Sequence, residues 1–247
     1  MVRSVVRFGL CTGLLLPTIL GCADSPQNAP SVSTERVPTT GCRAPAEVSN
    51  SPHTIAETVT LINALPKPLS LPCFLESLAR PLEISASTSL VSAQPAQGSR
   101  SPRIFVFQDP NVMSIVPAGD GASLLEFGEQ RPEFRSLKAE IPFPVTTQLA
   151  PSAPFDELLT SSTLTTCGGC HPGEQQESEI SGVRTFTSVA IRPRAGELVS
   201  AASLSHELEI CDRAREPQRC AMLDGLMGWG QVTDRTFPSA MSTFGGP

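Results

Sequence analysis

Residues 103–116 read RIFVFQDPNVMSIV. Two apolar runs, Arg103-Ile104-Phe105-Val106-Phe107 and Val112-Met113-Ser114-Ile115-Val116, flank the turn signal Asp109-Pro110-Asn111. Branched and aromatic residues suit a pleated, half-buried strand, and Pro with Asn suits the reversal between strands. The period-two pattern continues outward to Leu82 and Ile84. Beyond the turn signal Gly119-Asp120-Gly121 it returns in Leu137-Lys138-Ala139-Glu140-Ile141. Several short strands at this spacing predict a small antiparallel sheet or sandwich. Before the strands, residues 54–65 (TIAETVTLINAL) place Ile55, Val59, Ile62 and Leu65 on one helical stripe ended by Pro66. A second short helix is expected over 71–79, entered through Pro72. With 24 prolines in 247 residues, turns and strands are expected to outweigh helices.

Pro151 and Pro154 mark a boundary, after which PFDELLTSSTLTT leads into Cys167-Gly168-Gly169-Cys170-His171. Two cysteines two residues apart, with a histidine directly after, is the pattern of c-type haem attachment. The spacing has a chemical reason. Each thiol can add to one of two neighbouring vinyl groups on a porphyrin edge, and the next imidazole can reach the iron as axial ligand. Gly168 and Gly169 leave the backbone free of side chains against the ring. With 8 Cys and 3 His in the chain, random placement yields the pattern about 0.003 times. Two other readings use the same cysteines. A thiol–disulfide centre has no use for His171 and wants a βαβ setting. A zinc site would add Cys211 and Cys220, but their separation is wider than the usual ligand spacing.

The motif and its approach resemble the cytochromes c, in which a helix leads directly into CxxCH. The resemblance covers a few tens of residues. It implies one covalent haem c held by Cys167 and Cys170, His171 as proximal iron ligand, and a mostly helical haem segment over 151–247. Phe155, Leu158, Leu159 and Leu164 are then expected on the leading helix. Residues 204–226 are expected to be helical, with a polar interruption at 213–218. Residues 184–191 depart from the family by alternating like a strand. The resemblance also implies a methionine presented from a loop as sixth ligand. Met227, between glycines in Gly225-Leu226-Met227-Gly228, is the first candidate, with Met222, Met241 and His206 behind it. The fold class expected is therefore α+β: short N-terminal helices with a small antiparallel sheet over 42–150, followed by a helical cytochrome c-like segment over 151–247.

Residues 1–21 read as an export signal. Arg3 and Arg7 precede a short apolar run, Phe8 to Leu20, too short to span a bilayer. The ending Ile19-Leu20-Gly21-Cys22 resembles a bacterial lipobox, which implies lipidation of Cys22. Residues 22–41, rich in Pro, Ser and Thr, suit a flexible tether. Loss of Arg3 and Arg7 with the signal moves the formal net charge from −6 to −8, an acidic balance that argues against nucleic acid as a partner. Of eight cysteines, Cys11 leaves with the signal, Cys22 is the lipid site, and Cys167 and Cys170 serve haem. Cys42, Cys73, Cys211 and Cys220 remain as an even set for structural disulfides in an oxidising compartment. Three pairings exist, and Cys42–Cys73 with Cys211–Cys220 joins neighbouring segments.

These observations predict an exported, lipid-anchored, monohaem electron carrier of the cell envelope. It would face the periplasm or outer surface and meet a redox protein partner. The alternative is an envelope binding or scaffold subunit that carries haem within a larger assembly. An electron carrier is preferred to a catalyst. Only His53 and His206 remain as distal acid–base histidines, and no Gly-rich phosphate loop, GxSxG elbow or HExxH motif occurs. If Cys22 carries the anchor, Cys22→Ser releases the protein into the soluble fraction on membrane fractionation. An unchanged distribution, with a mature N-terminus elsewhere, removes the anchor.

Overall fold

The alternation seen in residues 103–116 runs through five consecutive strands. They are β1 (Leu82–Ser87), β2 (Arg103–Gln108), β3 (Asn111–Ile115), β4 (Leu124–Arg131) and β5 (Arg135–Pro142). The computed structural model describes residues 42–92, 94–161 and 163–244, which fall in one compact unit. The expected signal peptide, the tether and Cys22 lie outside the described residues. Each of the five strands pairs antiparallel with the next: Ile84 faces Val106, Phe105 faces Ser114, and Phe127 faces Ala139.

Later residues complete the same sheet. β7 (Val183–Val189) pairs with β5, and β6 (Gln175–Ile180) pairs with β7. β10 (Val232–Asp234) lies parallel to β1, and β9 (Leu198–Val199) pairs with the end of β1. The result is a nine-stranded mixed sheet in the order β10-β1-β2-β3-β4-β5-β7-β6, with β9 beside this path. A separate parallel pair joins β8 (Ile191–Arg192) to β11 (Ser242–Thr243).

Alternate side chains lie on opposite faces of a strand. Ile84, Ile104, Val106, Met113, Ile115, Leu125 and Ile141 form one fully buried face. That face is covered by α1 (Ile55–Ala64), α2 (Leu71–Ser77), α4 (Ala201–Glu209) and α5 (Pro217–Met227), through Ile62, Phe74, Leu204 and Leu223. α1 begins where Thr54 accepts a hydrogen bond from the Glu57 N–H at 3.0 Å and Glu129 accepts one from the Ile55 N–H at 2.8 Å. α2 is capped in the same way by Ser70, with Pro72 in its first turn. The opposite sheet face carries Arg103, Ser114, Glu126, Ser136, Lys138 and Glu140, and it supplies the floor of the site.

The expected mostly helical haem segment is not formed, and the sheet is not small. Residues 151–247 contribute β6, β7, β9 and β10 to the large mixed sheet, and α4 and α5 cover its apolar face. The expected leading helix reduces to α3 (Ala153–Asp156). Phe155 and Leu158 are buried, but Leu164 is 54% exposed. The Ser/Thr-rich run between them turns instead of coiling. The N–H groups of Thr160 and Ser161 both donate to the Leu164 carbonyl, and short hydroxyl side chains compete with helical backbone bonds.

Cys42 is bonded to Cys73 and Cys211 to Cys220. The first pair spans 31 residues and contributes roughly 3–4 kcal/mol in the chain-entropy view. α2 and α5 approach each other at Gly225, where an added Cβ would lie 2.4 Å from the Pro72 carbonyl oxygen. Arg80 ties both helix ends, donating to the Leu75, Leu78 and Gly225 carbonyls. Gly→Ala inside a helix ordinarily gains about 1 kcal/mol. At Gly225 the sign should reverse, with a loss of roughly 1–3 kcal/mol from overpacking. Urea unfolding measures it, and a midpoint that stays or rises would mean the two helices separate without cost.

Candidate functional site

The polar face of the sheet is roofed by residues 166–171, 190–197 and 237–244, which enclose a cavity of about 190 Å³. Cys167, Cys170 and His171 line it from above, with Arg103, Glu126 and Lys138 among the side chains below. Cys167-Gly168-Gly169 lies on a single 3-10 turn, Thr166–Gly169.

Local hydrogen bonds build that turn. The Thr165 hydroxyl accepts from the Cys167 N–H at 3.2 Å. The Cys167 carbonyl accepts from the N–H groups of Cys170 at 3.1 Å and His171 at 2.9 Å. The Glu174 carboxylate returns to hold Thr165 by its N–H at 2.8 Å and by its hydroxyl. A Cβ at Gly168 would stand 3.1 Å from this carboxylate, a tight approach that glycine avoids. The turn is then docked on β7: the Val189 N–H donates to the Pro172 carbonyl at 3.0 Å.

His171 Nδ1 lies 2.8 Å from the Val189 carbonyl oxygen. A carbonyl only accepts, so the contact assigns the ring proton to Nδ1 and leaves the Nε2 lone pair free for a metal. Burial, and secondarily the Lys138 ammonium, pull His171 down to about 4, so the ring is neutral at neutral pH. Lys138 is itself 6% exposed. Its Nζ donates to Ser136 Oγ at 2.7 Å and stands 3.4 Å from His171 Nδ1. Burial lowers Lys138 to about 8. Arg103 on the same floor pairs with Glu126 and donates to Ser114 Oγ at 3.0 Å.

Cys167 and Cys170 are the free cysteines among the described residues. Burial pushes the Cys167 thiol up, the opposite of what a thiol–disulfide nucleophile needs. Cys211 and Cys220, which a zinc site would borrow, are bonded to each other. Among the described residues, no group of three or more His, Cys, Asp or Glu could hold a metal ion.

The structure does not bring Met227 to His171. It ends α5 and packs against the apolar core under the helices, where the buried Met222 also lies. The His206 side chain is 66% exposed on α4, beside Glu209. His53 meets the Asp109 carbonyl at 2.9 Å. Met241 alone of the candidate sixth ligands lines the cavity with His171, and it is 3% exposed. No helix is needed to hold it there. Its N–H donates to the Pro238 carbonyl at 3.0 Å, and its carbonyl accepts from Arg192 Nε at 2.9 Å. Ser242 and Thr243 continue directly into the pairing with β8. Phe237 anchors the same segment on the floor, with its ring 5.2 Å from Phe105 and 4.9 Å from Phe107.

Two unpaired thiols, an imidazole engaged at Nδ1 and a buried thioether, the donor types a c-type haem uses, share a lining that mixes Phe105 and Phe127 with charged side chains of both signs.

In the haem-free protein the depressed His171 makes stability depend on pH. Between about 4 and the unperturbed 6.5 the unfolded chain holds the extra proton. The stability is therefore full above 6.5 and is lost as pH falls through 4, by about 3 kcal/mol. Denaturant midpoints at pH 7 and pH 4 test this, with His171→Gln losing less over the same window by about that amount. Equal losses would show that the ring is not held neutral.

No family model, curated protein or solved structure matches this chain, so its function is argued from the site itself.

Proposed function

We propose that this protein is an exported, lipid-anchored c-type cytochrome with one haem, which passes single electrons between redox proteins of the cell envelope. The observation that carries the reading is the setting of His171. Its Nδ1 is committed to the Val189 carbonyl at 2.8 Å, and Cys167 and Cys170 stand unpaired beside it on the same cavity. An outer-nitrogen bond of this kind fixes the tautomer and ring direction of a ligating histidine.

In this reading Cys167 and Cys170 would hold the porphyrin through thioether links, each the addition of one S–H across one vinyl C=C with no net change of oxidation state. His171 offers Nε2 on one side of the cavity. Met241, rather than Met227, would offer the second axial donor, because Met241 lines the cavity with His171 and Met227 does not. When bound, the haem supplies a one-electron ferric–ferrous couple, raised by thioether ligation relative to bis-histidine. Arg103 and Arg192, also on the lining, offer positive charge to its carboxylates.

A thiol–disulfide function is disfavoured by the raised Cys167 thiol. An envelope-scaffold role is not needed to account for the strands, since β1 to β5 are the floor of the cavity.

Protein produced with a haem-attachment system should keep its haem mass after denaturation, and Cys167→Ala with Cys170→Ala should abolish this. Met241→Ala should leave attachment intact but remove the thioether-to-iron charge-transfer band of the oxidised form and yield high-spin or water-ligated iron. Met227→Ala should change neither. A colourless protein with two free thiols at this site would end the haem reading, and loss of the band in Met227→Ala would return the ligand to α5.

A further inference from the structure

Resting on the haem reading, we infer that Lys138 is a positioning charge behind the proximal ligand: its buried ammonium favours ferrous over ferric iron and sets the carrier toward a high potential. The contact is electrostatic. The Nδ1 proton is already given to Val189, so the ammonium at 3.4 Å has no lone pair to donate to on that atom. Its hydrogen bond goes instead to Ser136 Oγ.

Nearby negative charge is engaged elsewhere. Glu126 is paired with Arg103, and Glu174 holds the N–H and hydroxyl of Thr165. At 6% exposure water screens the ammonium little. Ferric iron carries one more positive charge than ferrous, and part of it spreads onto the coordinated imidazole. A fixed cation against that ring therefore opposes oxidation. A carboxylate in the same place would act in the other direction, by strengthening the ligand as a base. Here the acceptor is a neutral carbonyl and the neighbour is a cation, so both features hold the imidazole in its weakly donating form.

The test is a spectroelectrochemical titration at pH 7 of the full chain carrying haem. Lys138→Met should lower the ferrous-to-ferric ratio at a fixed ambient potential by at least about tenfold, which one unit charge produces from as far as about 12 Å at an effective dielectric of about 20. Lys138→Arg should restore most of the ratio. Ser136→Asp, which sets a carboxylate against the same ammonium, should lower the ratio without touching Lys138, and it serves if Lys138→Met does not fold. Haem content should be unchanged in all three. A haem-loaded Lys138→Met or Ser136→Asp protein with the wild-type ratio overturns this inference alone. So does an equal shift in Lys138→Arg and Lys138→Met, which would mark a packing effect. A protein that takes up no haem overturns both this inference and the reading beneath it.

Discussion

A strand places alternate side chains on opposite sides, and in this protein the two sides have opposite chemistry. Ile104, Val106, Met113 and Ile115 demand an apolar cover, which α1, α2, α4 and α5 provide. The residues between them, Arg103, Phe105, Val112 and Ser114, are then forced onto the other face. A one-residue slip in any strand would drive charged groups under the helices and apolar ones into the cavity. The register that builds the core therefore also positions Arg103, Glu126 and Lys138 beneath Cys167 and His171.

The polar face is buried as well, and it cannot be left without partners. Arg103 answers Glu126, and Lys138 answers Ser136. Gln94, fully buried, donates to the Gly121 and Leu124 carbonyls. The roof over this face is assembled from segments far apart in the chain. Cys167, Cys170 and His171 come from residues 166–171, and Met241 arrives some seventy residues later through the pairing of β11 with β8.

Local pattern was enough to read the strands built on Ile84, Phe105, Met113 and Ala139, because each carries its own alternation. It was also enough for α1 and α2, where Thr54, Ser70 and Pro72 mark the starts. β6 was not legible: its first five residues, Gln175 to Glu179, are polar and exposed and only Ile180 is apolar, so an edge strand left no periodic trace. β4 was not read: Leu125 and Phe127 alternate with Glu126, but Gly128 and the polar residues after it cut the apolar pattern short. The leading helix was over-read, since the spacing of Phe155, Leu158 and Leu159 is helical while the hydroxyl-rich run after them is not. In the site, the CGGCH cluster was legible because its residues are adjacent. Met241 was legible only as one candidate among four, because what sets it on the cavity is a strand pairing and Arg192. Lys138 was read only as a strand residue, since its closeness to His171 depends on the pairing of β5 with β7.

The two margins of the sheet have a consequence for crowding. An unpaired strand edge is a template on which another chain can extend the ladder. Here one margin is β10, only three residues long. The other is β6, whose ladder shifts register between Gln176 and Ser178 and whose Glu177 and Glu179 meet Arg131 and Arg184. A short margin on one side and a charged, irregular one on the other offer no flat edge to a neighbour. Copies crowded together at high local density can thus sit side by side without fusing their sheets.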